Sequence, residues 1–292
     1  MTIKNNFTVV ICTYERPNLI KKCLEKILKS NFRPKKIIIV DQNPNETTSN
    51  KSKFIFKKHK FTKFKIIKNL LNRGLTKSKN ISLKYIKTKY VFFIDDDILL
   101  NKNFFKNTIK LISYKKAHGV CGVLTNYKNN KLNNFFYNLM NHGAFKDNRF
   151  YFQNYKQFIE KKIFYKKINS LPGGITCFDA KIFKNIKFDE KYITHNYEDV
   201  DFCLRLKKKI PNYKFYISLN SFSFDALGKL QKENIIMRIK FMYLLFLKNK
   251  NINFFVIFIL SFLGLLISNI YKLNFKIFKR IFLILKNENI SK

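Results

Sequence analysis

Tryptophan is absent from this chain and alanine occurs four times; only 18 residues are acidic against 58 basic ones, of which seven are arginine. The shortage of arginine weighs against the nucleic-acid reading that a formal charge of +40 invites, because base edges and phosphates are gripped best by the planar guanidinium fork. Abundant lysine, asparagine, isoleucine and phenylalanine beside so little alanine are what an AT-rich coding sequence produces, so much of the charge is background. Scattered lysines still attract anionic lipid head groups, at roughly 1 kcal/mol for each one near the surface. The cysteines Cys12, Cys23, Cys121, Cys177 and Cys203 are odd in number, far apart and mostly set in apolar runs. They suit neither a disulfide framework nor a zinc site, and a reducing cytoplasm is the expected setting. Met1 to Asn6 are polar and lead straight into an apolar run, so no secretory signal is expected there.

Against this acid-poor background one stretch stands out. Tyr90-Val91-Phe92-Phe93-Ile94 reads as a buried strand and stops on Asp95-Asp96-Asp97. Three adjacent carboxylates repel one another unless a cation neutralises them. In extended backbone Asp95 and Asp97 point the same way, so both can face one hard cation while Asp96 points elsewhere. The competing reading is an acidic helix start with Asn101 as a cap. Two further strand candidates end in polar residues, Val9 to Cys12 running into Thr13-Tyr14-Glu15-Arg16 and Ile37 to Val40 running into Asp41. In open α/β sheets such carboxyl ends line the ligand crevice.

Up to about Leu124, short β-rich runs alternate with helical stretches, the signature of βαβ units in a parallel sheet. Strands are predicted at Thr8 to Cys12, Lys36 to Val40, Phe64 to Ile67, Tyr90 to Ile94 and Val120 to Leu124. Helices are predicted at Pro17 to Lys29, Thr76 to Ile86 and Asn103 to Tyr114, Pro17 suiting a first turn. Asn126 to Ile168 has no clear period and is either an insertion shaping a cleft or a poorly patterned helical layer. Asn251 to Tyr271 carries no charge over 21 residues, and Leu273 to Lys286 is basic and amphipathic. A single crossing would place that basic tail on the far side, against the positive-inside tendency; lying in the interface keeps all basic residues on one side and is preferred, core helices being the alternative.

Taken in order, Val9 to Pro17, Ile38-Ile39-Val40-Asp41, Asn72-Arg73-Gly74-Leu75 with Ser78-Lys79-Asn80, Phe93 to Asp97, Gly173-Gly174 and Tyr197 to Arg205 resemble family 2 glycosyltransferases. The resemblance covers about Phe7 to Gly228. It implies an inverting enzyme of α/β class with the GT-A fold: a Rossmann-like, mostly parallel mixed sheet flanked by helices. A catalytic domain would occupy 1–228 and a helical, membrane-associating region 229–292.

The same resemblance implies a role for each motif. Thr13, Tyr14, Glu15 and Arg16 would hold the nucleotide of a nucleotide-sugar donor, and Asp41 its base or ribose, although Asp41 also suits a plain strand-end turn. Asn72 and Gly74 match an Asn-x-Gly pattern, and Lys79 stands where arginine is commoner, keeping a charge for the diphosphate but losing the fork. Asp95 and Asp97 match the Asp-x-Asp motif that binds the sugar nucleotide and a divalent cation, Mg or Mn, with Asp96 on the donor side. Gly173 and Gly174 would admit the acceptor sugar. Asp199 would be the general base, with Glu198 orienting the acceptor, although Glu198, Asp199 and Asp201 also suit a helix dipole. Where many relatives carry a histidine after this helix, this chain reads Phe222 to Gly228, so a histidine ligand is missing or replaced by Asp225.

The expected partners are a nucleotide-sugar donor, a saccharide or lipid-linked saccharide acceptor of a bacterial surface glycan and an anionic membrane surface, with no nucleic acid. The expected location is the cytoplasmic face of the cell membrane. Two other classes fit part of the pattern. A nucleotidyltransferase acting on sugar phosphates also uses strand-end carboxylates, but a glycine-rich phosphate loop is missing at Cys12 to Pro17. A basic nucleic-acid-binding protein leaves the acidic clusters unexplained.

Overall fold

The computed structural model describes residues 5–57, 59, 61–71, 73–126, 155–192, 197–227 and 235–250, with 255, 256, 259 and 263. The chain divides into two compact units, one of residues 1–129 and 148–228, the other of residues 130–147 and 229–292.

In the first unit the predicted alternation is present. β1 (Phe7–Thr13), α1 (Pro17–Leu28), β2 (Lys36–Asp41), α2 (Thr47–Lys57), β3 (Lys63–Lys68), α3 (Leu75–Leu83) and β4 (Tyr90–Ile94) follow one another. β1 lies parallel to both β2 and β4, and β2 parallel to β3. Then come β5 (Ile98–Leu100), α4 (Phe104–Tyr114), β6 (Gly119–Leu124), α5 (Tyr155–Glu160), β7 (Tyr165–Lys167), β8 (Ile175–Asp179), α6 (Glu198–Lys209) and β9 (Phe215–Asp225). β8 inserts antiparallel between β4 and β6, which makes the sheet mixed, in the order β3-β2-β1-β4-β8-β6-β9-β5 with β7 alongside β9.

The period-two alternation of the central strands fills a core on each face of the sheet. Val9, Ile11, Ile37, Ile39 and Phe92 pack with α1 and α4 on one side. Val10, Ile38, Val40, Val91 and Phe93 pack with α6 on the other, through Phe202, Cys203 and Leu206. There Phe93, Phe178, Phe183, Phe188 and Phe202 form an aromatic cluster with ring centroids from 4.5 to 6.2 Å apart. Each such ring stabilises the fold by about 1.5–3 kcal/mol through burial. All five cysteines are free.

In the second unit α7 (Ile235–Asn249) is the described helix, and Phe246 packs on Phe255 at 5.3 Å. Among the described residues no helix is long and apolar enough to cross a membrane. Most of 251–271 and all of 273–286 lie outside the described residues.

Candidate active site

The parallel order brings the ends of β1, β2 and β4 side by side, and each delivers a polar residue to the same edge. From β1, Thr13 Oγ1 donates to Asp96 Oδ2 at 2.6 Å, while Arg16 Nη1 reaches Asp96 Oδ1 at 3.2 Å and Asp97 Oδ2 at 3.1 Å. Thr13 and Arg16 therefore touch the acidic triplet directly. Asp96 is buried and Asp97 partly so. Burial pushes the Asp97 carboxyl up to about 7, with Asp95, Asp96 and Asp225 adding to the rise and Arg16 opposing it. Burial likewise raises Asp96, against the pull of Thr13 and Arg16.

Asp41 is wholly buried. Its Oδ1 accepts from the Asn43 amide nitrogen at 3.0 Å and from Asn43 Nδ2 at 2.8 Å, and its Oδ2 accepts from Ser49 Oγ at 2.8 Å and meets Lys68 Nζ at 3.0 Å. Asn43 passes this on, its Oδ1 accepting from the Glu15 amide, which sits in the left-handed region at φ 56°. Gln42 Oε1 accepts from the Gly74 amide at 2.6 Å. Gly74 has φ 136°, a backbone state that glycine alone adopts freely, and it opens α3. Gln42, Asn43 and Lys68 thus tie three motif loops together. Sequence reasoning missed all three, because an Asx turn after a strand gives no sign of its long-range partners. Tyr14 is exposed, with the Arg73 guanidinium 5.8 Å from its ring; Asn72 lies outside the described residues.

Gly173 and Gly174 close the crevice from β8. The Gly174 carbonyl accepts from the Asp95 amide at 2.9 Å, and a Cβ on Gly174 would lie 1.9 Å from Asp95 Oδ2. A Cβ on Gly173 would lie 2.7 Å from Glu198 Oε1, 3.0 Å from Lys79 Nζ and 3.6 Å from the Asp199 Cβ. The glycine pair is therefore a place of close approach to both carboxylate motifs. Glu198 and Asp199 begin α6, whose cap, Tyr197, takes the left-handed region at φ 61°. Such strain, of order 1–2 kcal/mol in a non-glycine residue, concentrates at working sites. Asp199 is half-buried and its Oδ1 accepts from the Val200 amide at 2.7 Å. Asp201 instead turns inward and takes Arg205 Nε at 2.7 Å, one turn further along the helix.

The donor set suits a hard cation. Burial and three neighbouring carboxylates disfavour a charge on Asp97 that a cation would compensate, and the β5–β9 register sets Asp225 opposite Ile98, next to it. Among the described residues no cluster of three or more His, Cys, Asp or Glu side chains is close enough to hold an ion by itself. Mg²⁺ and Mn²⁺ sites built on one or two carboxylates are commonly completed by substrate phosphates.

The family description Glycosyl transferase family 2 matches residues 8–187, which span every strand of the parallel half together with the acidic triplet and the glycine pair. The chain belongs to glycosyltransferase family 2. Glycosyltransferase GlyA of Streptococcus pneumoniae is 23% identical over 65% of this chain, which spans 26% of that relative's length. The uncharacterized glycosyltransferase MJ1057 of Methanocaldococcus jannaschii is 27% identical over 72% of this chain and 73% of its own. Among solved structures, the mannosyltransferase PcManGT of Pyrobaculum calidifontis, in complex with GDP-Man and Mn²⁺, superposes with a TM-score of 0.58 at 16% identity, covering 82% of this chain and 62% of that one. TarS 1-349 of S. aureus in complex with UDP-GlcNAc gives 0.54 at 16% identity, covering 82% and 65%. GalNAc-T7 with UDP, GalNAc and Mn²⁺ gives 0.56 at 11% identity, covering 82% and 47%. These neighbours carry the family's GT-A fold, and the mixed sheet described above shares it.

Proposed function

We propose that this chain transfers a sugar from a nucleotide-sugar donor to a hydroxyl of a saccharide acceptor, with inversion at the anomeric carbon. The observation that carries the reading is the meeting of two carboxylate motifs across Gly173-Gly174, Asp95 on one side and Glu198-Asp199 on the other. Thr13, Tyr14, Glu15, Arg16, Gly74 and Asp96 are the donor side of the crevice, and Asp41 orders that side through Asn43. Asp199 takes the proton of the acceptor hydroxyl as its oxygen attacks the anomeric carbon and the bond to the nucleoside diphosphate breaks. One displacement suffices, and no covalent sugar-enzyme intermediate forms. Asp95 and Asp97, with Asp225 alongside, are the residues to hold a divalent cation, Mg or Mn, which when bound offsets charge on the leaving diphosphate.

The acceptor in this reading is a lipid-linked saccharide of a bacterial surface glycan, and region 229–292 keeps the enzyme at the cytoplasmic face of the membrane. The uncharged run 251–271 and the basic amphipathic run 273–286 support it. The test is to incubate the purified chain with a panel of nucleotide sugars, including UDP-GlcNAc and GDP-mannose, with Mg²⁺ or Mn²⁺, and to measure released nucleoside diphosphate. Turnover of a donor, lost in excess chelator, is expected. No release from any donor with either cation overturns the reading.

A further inference from the structure

Lys79 is among the largest fully buried side chains, 2% exposed, whereas the other described lysines are overwhelmingly at the surface. Taking an ammonium out of water is costly unless partners compensate. Its partners are Glu198 Oε1 at 3.2 Å and the Gly173 carbonyl at 3.3 Å, and the rings of Phe188 and Phe93 lie 5.2 and 5.9 Å from Nζ. These belong to β4, the glycine turn, α6 and the segment before it, and the carboxylates of Asp95 and Asp199 and the Cys12 thiol of β1 also act on the ammonium at longer range. None belongs to the loops after β1 or β2, where the nucleotide is expected.

The rest of α3 points the same way. Thr76 Oγ1 donates to the Tyr192 carbonyl at 2.6 Å, and Asn80 Nδ2 donates to the Phe188 carbonyl at 2.9 Å while its Oδ1 accepts from the Phe188 amide at 3.0 Å. One polar face of α3 therefore clamps the approach to Glu198. Glu198 is 4% exposed, and while Oε1 is taken by Lys79, Oε2 is buried with no hydrogen-bond partner among the described residues. An orphaned carboxylate oxygen beside a glycine turn is built to accept a bond from something that arrives.

We infer that Lys79 is a positioning residue that holds Glu198 against Gly173, so that the free Oε2 accepts a hydroxyl of the bound sugar, and that it does not grip the donor diphosphate. The inference rests on the reading of this crevice as a sugar-transfer site. Sugar hydroxyls reach it from the donor's sugar or from the acceptor, and the experiment separates them. Lys79→Met and Glu198→Gln, with the double variant in which neither charge remains to be left unpaired, are compared with the unaltered chain. Affinity for UDP and GDP is measured by calorimetry, alongside donor hydrolysis by water and transfer to a saccharide acceptor.

Nucleoside diphosphate affinity is expected to stay within about threefold in all variants, while turnover falls by about a hundredfold, the scale of a misplaced reacting group. Loss from both hydrolysis and transfer assigns the hydroxyl to the donor sugar, and loss from transfer alone assigns it to the acceptor. A drop of about tenfold or more in UDP or GDP affinity in Lys79→Met and in the double variant overturns the inference, since Lys79 would then be a diphosphate ligand. Turnover that survives in both single variants overturns it equally. The nucleotide arm reads Lys79 whether or not any donor is turned over, so failure of the proposed transfer and failure of this inference are distinguishable.

Discussion

A single methyl group at Gly174 should silence the site while leaving the fold standing. The Cβ of Gly174→Ala would fall 1.9 Å from Asp95 Oδ2, 2.2 Å from its Cγ and 2.8 Å from its Oδ1. Oxygen must therefore retreat by more than about 1 Å before the contact becomes tolerable. The backbone gives little room for that retreat, because the Asp95 amide is held by the Gly174 carbonyl at 2.9 Å and β4 pairs with β8 through Ile94 and Ile175. The carboxylate must then rotate away from the crevice. Overpacking of this kind costs about 1–3 kcal/mol of stability, which for a domain of this size lowers the melting midpoint by about 2–10 °C. The catalytic cost is of similar size in energy, roughly 2.7 kcal/mol of barrier for a 1 Å displacement, but it reads out as about a hundredfold in rate. Gly174 is not in the left-handed region, so backbone strain contributes nothing to the prediction. The assay pairs thermal unfolding with nucleoside diphosphate release at saturating Mn²⁺. A folded Gly174→Ala chain with undiminished turnover would refute the placement of Asp95 in the reacting crevice.

Two further outcomes follow from charge and from the tail. With its folded-state value pushed up to about 7 by burial and by Asp95, Asp96 and Asp225, against Arg16, Asp97 keeps a proton that the unfolded chain gives up near the ordinary carboxylate value of 3.8. The protein should therefore lose stability as pH rises from about 4 to about 7, by at most about 4 kcal/mol from this residue. Mn²⁺ should raise the melting midpoint more at pH 8 than at pH 5, and Asp97→Asn should flatten both effects; an equal Mn²⁺ shift at the two pH values would contradict it. Removing 251–292 should move the protein from the membrane fraction to the soluble one, and a truncated chain that stays on membranes at high salt would show that other residues hold it.

Much of the crevice was legible in the sequence because strand ends announce themselves. The run Tyr90 to Ile94 is strand to the residue, and its acidic end lies at the edge where β1 and β2 also end. The helix Thr47–Lys57 was not legible, since its buried positions include Thr48, Ser49 and Ser52 and it shows no apolar stripe. The three-residue strand β5 is too short to leave a pattern, yet its pairing with β9 is what brings Asp225 beside Asp97. Burial of Lys79 was hidden for a related reason. The inner face of α3 is Thr76, Ser78, Lys79 and Ser82, polar residues that a periodicity argument assigns to solvent and that tertiary partners bury instead.

The central claim, that Asp199 removes the acceptor proton, is tested most directly by the transfer rate of Asp199→Asn at saturating donor and acceptor. The amide keeps the size of the side chain and can still accept from the Val200 amide, now at 2.7 Å, so folding and nucleotide affinity should hold. A general base contributes about 10²- to 10⁴-fold, whereas a helix-start carboxylate is worth only about 0.3–1 kcal/mol of stability. The account predicts that transfer falls at least about a hundredfold, with Asp201→Asn, whose carboxylate is engaged by Arg205, mild by comparison. Equal losses in the two variants, each in proportion to lost thermal stability, would contradict it.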